Sequence, residues 1–215
     1  MKVCVLQPDY STTGVDYKNY DPPRDLALLI PEHEVHTVFL NKLTTYSQLK
    51  DLSKQGYDIF VNLCEGYLEW EVPSIDVIYT LELLNLPFTG PTSKLYDPPK
   101  ELMKYLAYCE GVKTPGYVLI NELADVDEAV KHLTFPLFVK PAKAGDSLGV
   151  DDRSLVKNKI ELQQKCISIL DEYGPLLVEE YIAGREFTVL VAANADEHSC
   201  TVFRPVEYLF PQGRS

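Results

Sequence analysis

Three lysines, Lys100, Lys104 and Lys140, are the natural candidates for holding a polyphosphate. A lysine ammonium is a compact cation with three donors, suited to phosphate oxygens as a point charge. Lys140 ends an apolar run and precedes Pro141, so its ammonium is expected where a sheet meets solvent. Lys100 and Lys104 are four residues apart and share one face of a helix. Beyond Lys140, after Pro141, Ala142 and Lys143, comes Ala144-Gly145-Asp146-Ser147-Leu148-Gly149-Val150, and Gly145 and Gly149 allow backbone amides to approach phosphate closely. The chain contains neither G-x-x-x-x-G-K-[ST] nor G-x-G-x-x-G, so this stretch is neither of those phosphate loops. Taken alone, a lysine beside such a stretch reads as an ordinary turn.

A second group is acidic. In Leu176–Val189, two strands joined by an Ala183-Gly184 turn are expected to set Glu179 and Glu186 near opposite ends of a short hairpin. A carboxylate can accept from an adenine amino group or from two ribose hydroxyls at once. In isolation the two glutamates read as solvated hairpin residues. Other clusters carry less. His33 and His36 are three apart, not the four of a helical zinc motif, and read as a surface pair. Glu65, Glu69 and Glu71 read as a solvated loop anchored by Trp70, and Asp151-Asp152 as a turn preceding a helix.

The elements that must hold these residues alternate in period. Lys2–Leu6, Val35–Leu40 and Asp58–Leu63 are short β-branched or apolar runs, separated by helix-like stretches at Pro22–Ile30 and Thr44–Gln55. Val77, Ile78, Leu81 and Leu84 form one helical stripe. This order predicts a small parallel sheet with helices on both faces, closed by Pro87–Pro91, with a domain boundary near residue 90. The next helix is predicted to be capped by Asp97, to open with Pro98 and Pro99, to bury Leu102, Leu106 and Cys109, and to end at Gly111. There follow a strand at Tyr117–Ile120, a helix with an Asp125/Glu128 capping box, and a strand at Leu137–Lys140. A helix capped by Asn158 with Glu161 reaching back comes next, carrying Leu162, Cys166 and Ile169 inward. Leu176–Glu180 and a longer Glu186–Ala193 read as strands, the latter pairing with Cys200–Val206 across the polar Asn194–Ser199 loop.

Thirty-two acidic against twenty basic residues give a formal charge of −12, which disfavours general affinity for nucleic acid or an anionic membrane. Any phosphorylated ligand must be held by a local basic cluster against the overall field. With 46% hydrophobic and 24% charged residues the composition is that of a folded domain, not of a disordered chain. Five widely spaced cysteines without a C-x-x-C pair read as reduced, core-filling residues. The amino-terminal apolar run is too short for a signal peptide, and a cytoplasmic location is expected.

In order, the chain presents Gly90, Lys100 and Lys104, Gly111–Pro115, Phe135-Pro-Leu-Phe-Val-Lys-Pro141, Ala144–Val150 and Val178-Glu-Glu-Tyr-Ile-Ala-Gly-Arg-Glu-Phe-Thr-Val189. This succession resembles the ATP-grasp superfamily, and within it the D-alanine–D-alanine ligase type, from about Asp58 to Phe210. The resemblance implies an α/β chain. A small parallel pre-ATP-grasp sheet domain over residues 1–90 precedes an α+β ATP-grasp region over 91–215, whose carboxy-terminal lobe is incomplete. It implies ATP as ligand. Lys100 and Lys140 look like the lysines on its phosphates, with Lys104 a neighbour, and Gly145, Ser147 and Gly149 belong to the loop over the triphosphate. Glu179 matches the acceptor for the adenine amino group, the Glu180-Tyr181-Ile182 backbone the reader of the adenine edge, and Glu186 the ribose ligand.

Such ligases phosphorylate a carboxylate with ATP, and an amine then attacks the acylphosphate. The implied partners are ATP and small carboxylate and amine substrates such as amino acids, with a homodimer open to the chain and neither nucleic acid nor membrane. Magnesium is implied too, its ligands being expected beyond Ser215, so the 215 residues alone are expected to be inactive. Asp146 replaces a usual serine, Cys64 a common histidine, and Gln7–Gly14 lacks the glycine pair and glutamate that contact D-alanine. Nucleotide binding is thus better supported than D-alanine as substrate. A non-catalytic ATP-binding fragment, or a ligase for another acid and amine, are the alternatives.

Overall fold

The computed structural model describes residues 1–14, 21–145, 147–194 and 199–210. Asp146, the interior of the Asn194–Ser199 connection and the stretch after Phe210 lie outside the described residues. The chain divides into two compact units, Met1–Pro98 and Pro99–Ser215.

In the first unit, β1 (Lys2–Pro8), β2 (Glu34–Leu40) and β3 (Ile59–Asn62) form a parallel sheet in the order β2-β1-β3. The central strand is buried from Val3 to Pro8, which is why it reads as one apolar run without alternation. Helices α1 (Thr45–Leu52) and α2 (Ile75–Leu83) supply Leu49, Leu52, Val77 and Leu81 to a core that also holds Cys4, Leu6, Leu40 and Phe60. Phe60 extends the sheet by a parallel bridge to Phe88. The segment after Gly90 stays with this unit: the Ser93 amide and hydroxyl donate to Glu82 at 2.9 and 2.7 Å, and the Gly66 amide donates to the Tyr96 hydroxyl at 2.6 Å.

One expected helix is missing. Pro22–Ile30 contains only a 3-10 turn at Leu26–Leu28, opened by Asp25, whose carboxylate accepts from the Ala27 amide at 3.0 Å. Leu28 and Leu29 are each 78% exposed, so no packed face supports a helix in this short segment, and the residue before a proline is driven out of the helical region.

The second unit is built on an antiparallel sheet in the order β4-β7-β5-β6, from β4 (Tyr117–Ile120), β5 (Leu137–Pro141), β6 (Leu155–Val156) and β7 (Leu176–Glu180). One face packs on α4 (Val126–His132) and α5 (Lys159–Tyr173) through Ile120, Val126, Ala129, Leu137, Val139, Leu162, Cys166, Ile169, Leu176 and Val178. Helix α5 has the predicted cap. Asn158 Oδ1 accepts from the Ile160 and Glu161 amides at 3.0 Å each, and Glu161 reaches back to the Lys157 amide at 2.7 Å.

Other local expectations are corrected. The capping box joins Glu122 and Asp125, one turn earlier than Asp125/Glu128, because Asp125 accepts from the Asn121 and Glu122 amides. Helix α3 (Lys100–Cys109) begins after Pro99, and Asp97 instead turns to the Tyr67 hydroxyl, 2.9 Å away. The stripe Leu102, Leu106, Cys109 is exposed, since the core of this unit is filled by α4 and α5. Strand β7 forms no hairpin with the segment after Gly184: it lies between β4 and β5. The expected long strand is broken into β8 (Glu186–Thr188) and β9 (Val191–Ala193), which pair separately with β11 (Val206–Tyr208) and β10 (Cys200–Val202).

Cys4, Cys64 and Cys166 are buried as expected, whereas Cys109 and Cys200 are exposed, and all five are free thiols. Among the described residues, no helix is long and apolar enough to cross a membrane.

Candidate functional site

Successive residues of a strand point to opposite faces. In β7 this sends Leu176, Val178 and Glu180 to the side of the helices, and Leu177 and Glu179 to the other. Antiparallel register sets Tyr117 of β4 and Phe138 of β5 directly opposite Glu179. Lys140, two residues beyond Phe138, is then diagonal to Glu179 on the same face, within reach of a long side chain. Its ammonium is paired with Glu179 Oε1. Lys104, arriving from α3, donates to Glu179 Oε2 at 2.7 Å and to the Pro115 carbonyl at 3.1 Å, and its ammonium lies 5.1 Å from the centre of the Tyr117 ring.

Two cations therefore share one carboxylate on the sheet face opposite the helices. The side chains of Lys104, Glu179 and Lys140 retain 10%, 12% and 25% of their exposure. Burial pushes the Glu179 carboxyl up, but the Lys104 and Lys140 ammonium groups outweigh it and hold the group below the usual carboxylate range. The cluster carries one net positive charge, and each Glu179 oxygen keeps a second lone pair for another donor. It can attract an anion while still accepting a hydrogen bond.

Lys100 opens α3 beside the end of β5. Its amide donates to the Ala142 carbonyl at 3.0 Å and its ammonium to the Ala144 carbonyl at 2.8 Å. The stretch that follows is two successive turns: the Leu148 amide donates to Gly145 and the Val150 amide to Ser147, each at 3.0 Å. Ser147 and Gly149 both have positive φ, 58° and 72°. A Cβ at Gly149 would lie 2.8 Å from Pro141 Cγ, so glycine is required there for the chain to return against β5.

The remaining expected residues are divided. The Glu180 side chain points away from the lysines and accepts from the Thr134 amide at 3.2 Å, so only its backbone faces the cluster's end of the sheet. The Glu180 and Tyr181 amides are committed to the Gly116 and Pro136 carbonyls at 3.0 Å each. Ile182 follows, exposed. Glu186 stands exposed at the start of β8, opposite Tyr208, on a ribbon separate from the four-stranded sheet. Among the described residues, no group of three or more His, Cys, Asp or Glu side chains is placed to hold a metal ion.

Sequence reasoning passed over two residues that touch this region. Tyr117 supplies the ring beneath Lys104. Lys165 lies buried behind the turns, and a signal for it existed: it occupies a position of the apolar stripe Leu162, Cys166, Ile169, where a charge demands a partner.

Residues 111–208 match the family described as D-ala D-ala ligase C-terminus. A D-alanine--D-alanine ligase from Marinomonas sp. is 33% identical over 113 residues, covering 52% of this chain and 35% of the relative. One from Bordetella petrii is 28% identical over 211 residues, covering 93% of this chain and 61% of the relative. The chain thus spans less than two thirds of the length of these curated relatives. Among solved structures, the VanG D-Ala:D-Ser ligase from Enterococcus faecalis superposes with a TM-score of 0.68 at 21% identity, covering 96% of this chain and 69% of that one. The D-alanine--D-alanine ligase from Bacillus anthracis complexed with ATP gives 0.61 at 21% identity, covering 98% and 72%.

Proposed function

The chain has the ATP-grasp fold and resembles the D-alanine–D-alanine ligases in sequence, and on that footing we propose that it binds ATP on the open face of the β4-β7-β5-β6 sheet. The observation that carries this reading is the convergence of Lys104 and Lys140 on the half-buried Glu179. Lys140, the more exposed of the two lysines, meets phosphate oxygens together with Lys100. Lys104, engaged by Glu179, Pro115 and Tyr117, holds the carboxylate in place. Glu179 accepts from the adenine amino group through its remaining lone pairs. Since the Glu180 and Tyr181 amides are engaged within the sheet, the Ile182 amide is left to donate to the adenine edge. Glu186 receives the ribose hydroxyls, and Gly145, Ser147 and Gly149 line the phosphates.

The reaction that suits this arrangement is the joining of a carboxylate to an amine. A carboxylate oxygen attacks the γ-phosphorus and ADP leaves. The amine nitrogen then attacks the acyl carbon, phosphate leaves with the bridging oxygen, and an amide remains after loss of a proton. Ammonium groups and backbone amides neutralise the charge that shifts during phosphoryl transfer, and a covered phosphate excludes water from the acylphosphate.

Thermal unfolding with and without ATP tests the binding. At about 100 times the dissociation constant, ligand binding adds about 2.7 kcal/mol. Lys140→Ala is expected to lose most of that gain. No stabilisation of the parent at millimolar ATP, or a variant indistinguishable from it, overturns the reading. Phosphate release with a panel of amino acids separates ligation from binding without turnover, and identifies the acid and amine.

A further inference from the structure

Helix α5 buries a charge that the nucleotide cluster does not use. Lys165 sits on the apolar stripe with Leu162, Cys166 and Ile169, and its side chain is only 1% exposed. An ammonium is kept this deep only when it is hydrogen-bonded and paired. Its partners are the Gly149 carbonyl and Asp151 Oδ1, both at 2.9 Å. The hydrogen bond from Lys165, with help from Arg153, holds the Asp151 carboxyl down to about 2, so the partner is ionised throughout the ordinary pH range.

What the lysine grips is the last glycine of the proposed phosphate stretch. Gly149 is in a left-handed conformation and lies against the Pro141 ring, immediately after Lys140 in β5. At the other end of the stretch, the Lys100 ammonium grips the Ala144 carbonyl. Each end is therefore held by a lysine on a backbone oxygen, one from α3 and one from α5. Unlike Lys100, Lys165 comes from the helix-packed face of the sheet, opposite the face that carries Lys104, Lys140 and Glu179.

We infer that Lys165 is a positioning residue for phosphate binding: through the Gly149 carbonyl, with Asp151 fixing the ammonium, it sets where Ser147 and Gly149 meet the phosphates. This rests on the ATP reading proposed above. It goes beyond that reading by giving a role to a side chain that no ligand touches.

Calorimetric affinities for ATP and for adenosine, on the 215-residue chain, test it. If the parent binds neither, the ATP reading itself fails and the role of Lys165 with it, a result visible before any variant is made. With a binding parent, Lys165→Met is expected to weaken ATP about tenfold, as loss of one charge-assisted hydrogen bond would. Adenosine, which has no phosphate to misplace, should change by less than about threefold on the same scale. Asp151→Asn, at a partly exposed position, should weaken ATP in the same direction and speed exchange of the Val150 amide, which donates to Ser147. It also serves should Lys165→Met fail to fold. Equal weakening of ATP and adenosine would make Lys165 merely structural. Unchanged ATP affinity, or unchanged Val150 exchange in Asp151→Asn, would overturn the inference as well.

Discussion

Replacing Glu179 by glutamine removes one charge and leaves the shape of the side chain almost intact. In the parent, a carboxylate with 12% of its exposure separates two ammonium groups with 10% and 25% of theirs. After the change, the amide oxygen can accept from one ammonium while the amide NH2 faces the other, and the two lysines repel across a neutral group. Breaking a buried pair by removing one partner costs about 3–5 kcal/mol, and Lys140 can relax outward, so about 3 kcal/mol is expected. For a unit of this size that corresponds to a fall in Tm of about 12 °C. The effect depends on pH in a defined direction. A carboxyl held below its ordinary value contributes stability that is fully present above about 4.5 and is lost as the pH falls through the depressed value. Parent and Glu179→Gln melting curves should therefore stay equally far apart from neutral pH down to mildly acidic pH, then converge at lower pH. Glu180→Gln, whose side-chain oxygen still accepts from Thr134, is the control and should barely move Tm. A Glu179→Gln loss below about 1 kcal/mol at neutral pH would refute the pairing as a source of stability. So would a gap that survives unchanged in strong acid.

Other substitutions have effects set by the same structure. Gly149→Ala, which combines positive φ with a 2.8 Å approach to Pro141, should lower stability by about 1–3 kcal/mol in denaturant titration. Gly145→Ala, with no atom within 4 Å of an added Cβ, should cost under about 1 kcal/mol. Asp151→Asn leaves the buried Lys165 without its counter-charge and should cost about 2 kcal/mol at neutral pH, less than a fully buried pair because 41% of the Asp151 side chain is exposed. The parent should lose this contribution only as pH falls below the ordinary aspartate range toward about 2. In the helices, Leu162→Ala should cost about 2–5 kcal/mol by opening a cavity, and Leu106→Ala less than about 0.5 kcal/mol, measured by urea unfolding.

Those two leucines occupy equivalent helical stripes with opposite fates. Leu162, Cys166 and Ile169 repeat at helical spacing and face the core, and so did Leu102, Leu106 and Cys109 on paper. Periodicity specifies that one face of a helix is apolar, but not that a neighbour covers it. Pro22–Ile30 forms no helix for a related reason: Leu28 and Leu29 stay uncovered between two prolines, so nothing packs a helical face there. The break of Glu186–Ala193 into two strands on different partners is a pairing decision, which no local pattern encodes.

Residue types and short-range spacing were sufficient for β1, β2, β3, β4, β5 and β7 and for the Asn158 cap, whereas Glu179 joined Lys100, Lys104 and Lys140 as a candidate only through the order of motifs along the chain. These features depend on the backbone's own geometry and on which side chains carry charge. That Lys104 and Lys140 meet on Glu179, that Glu180 turns the other way, and that Lys165 reaches Gly149 from beneath all depend on sheet register and on the placement of α3 and α5. Contacts between residues 16, 39 or 75 positions apart are set by how strands are ordered and helices docked. That order arises from burying many apolar side chains together, not from any one segment.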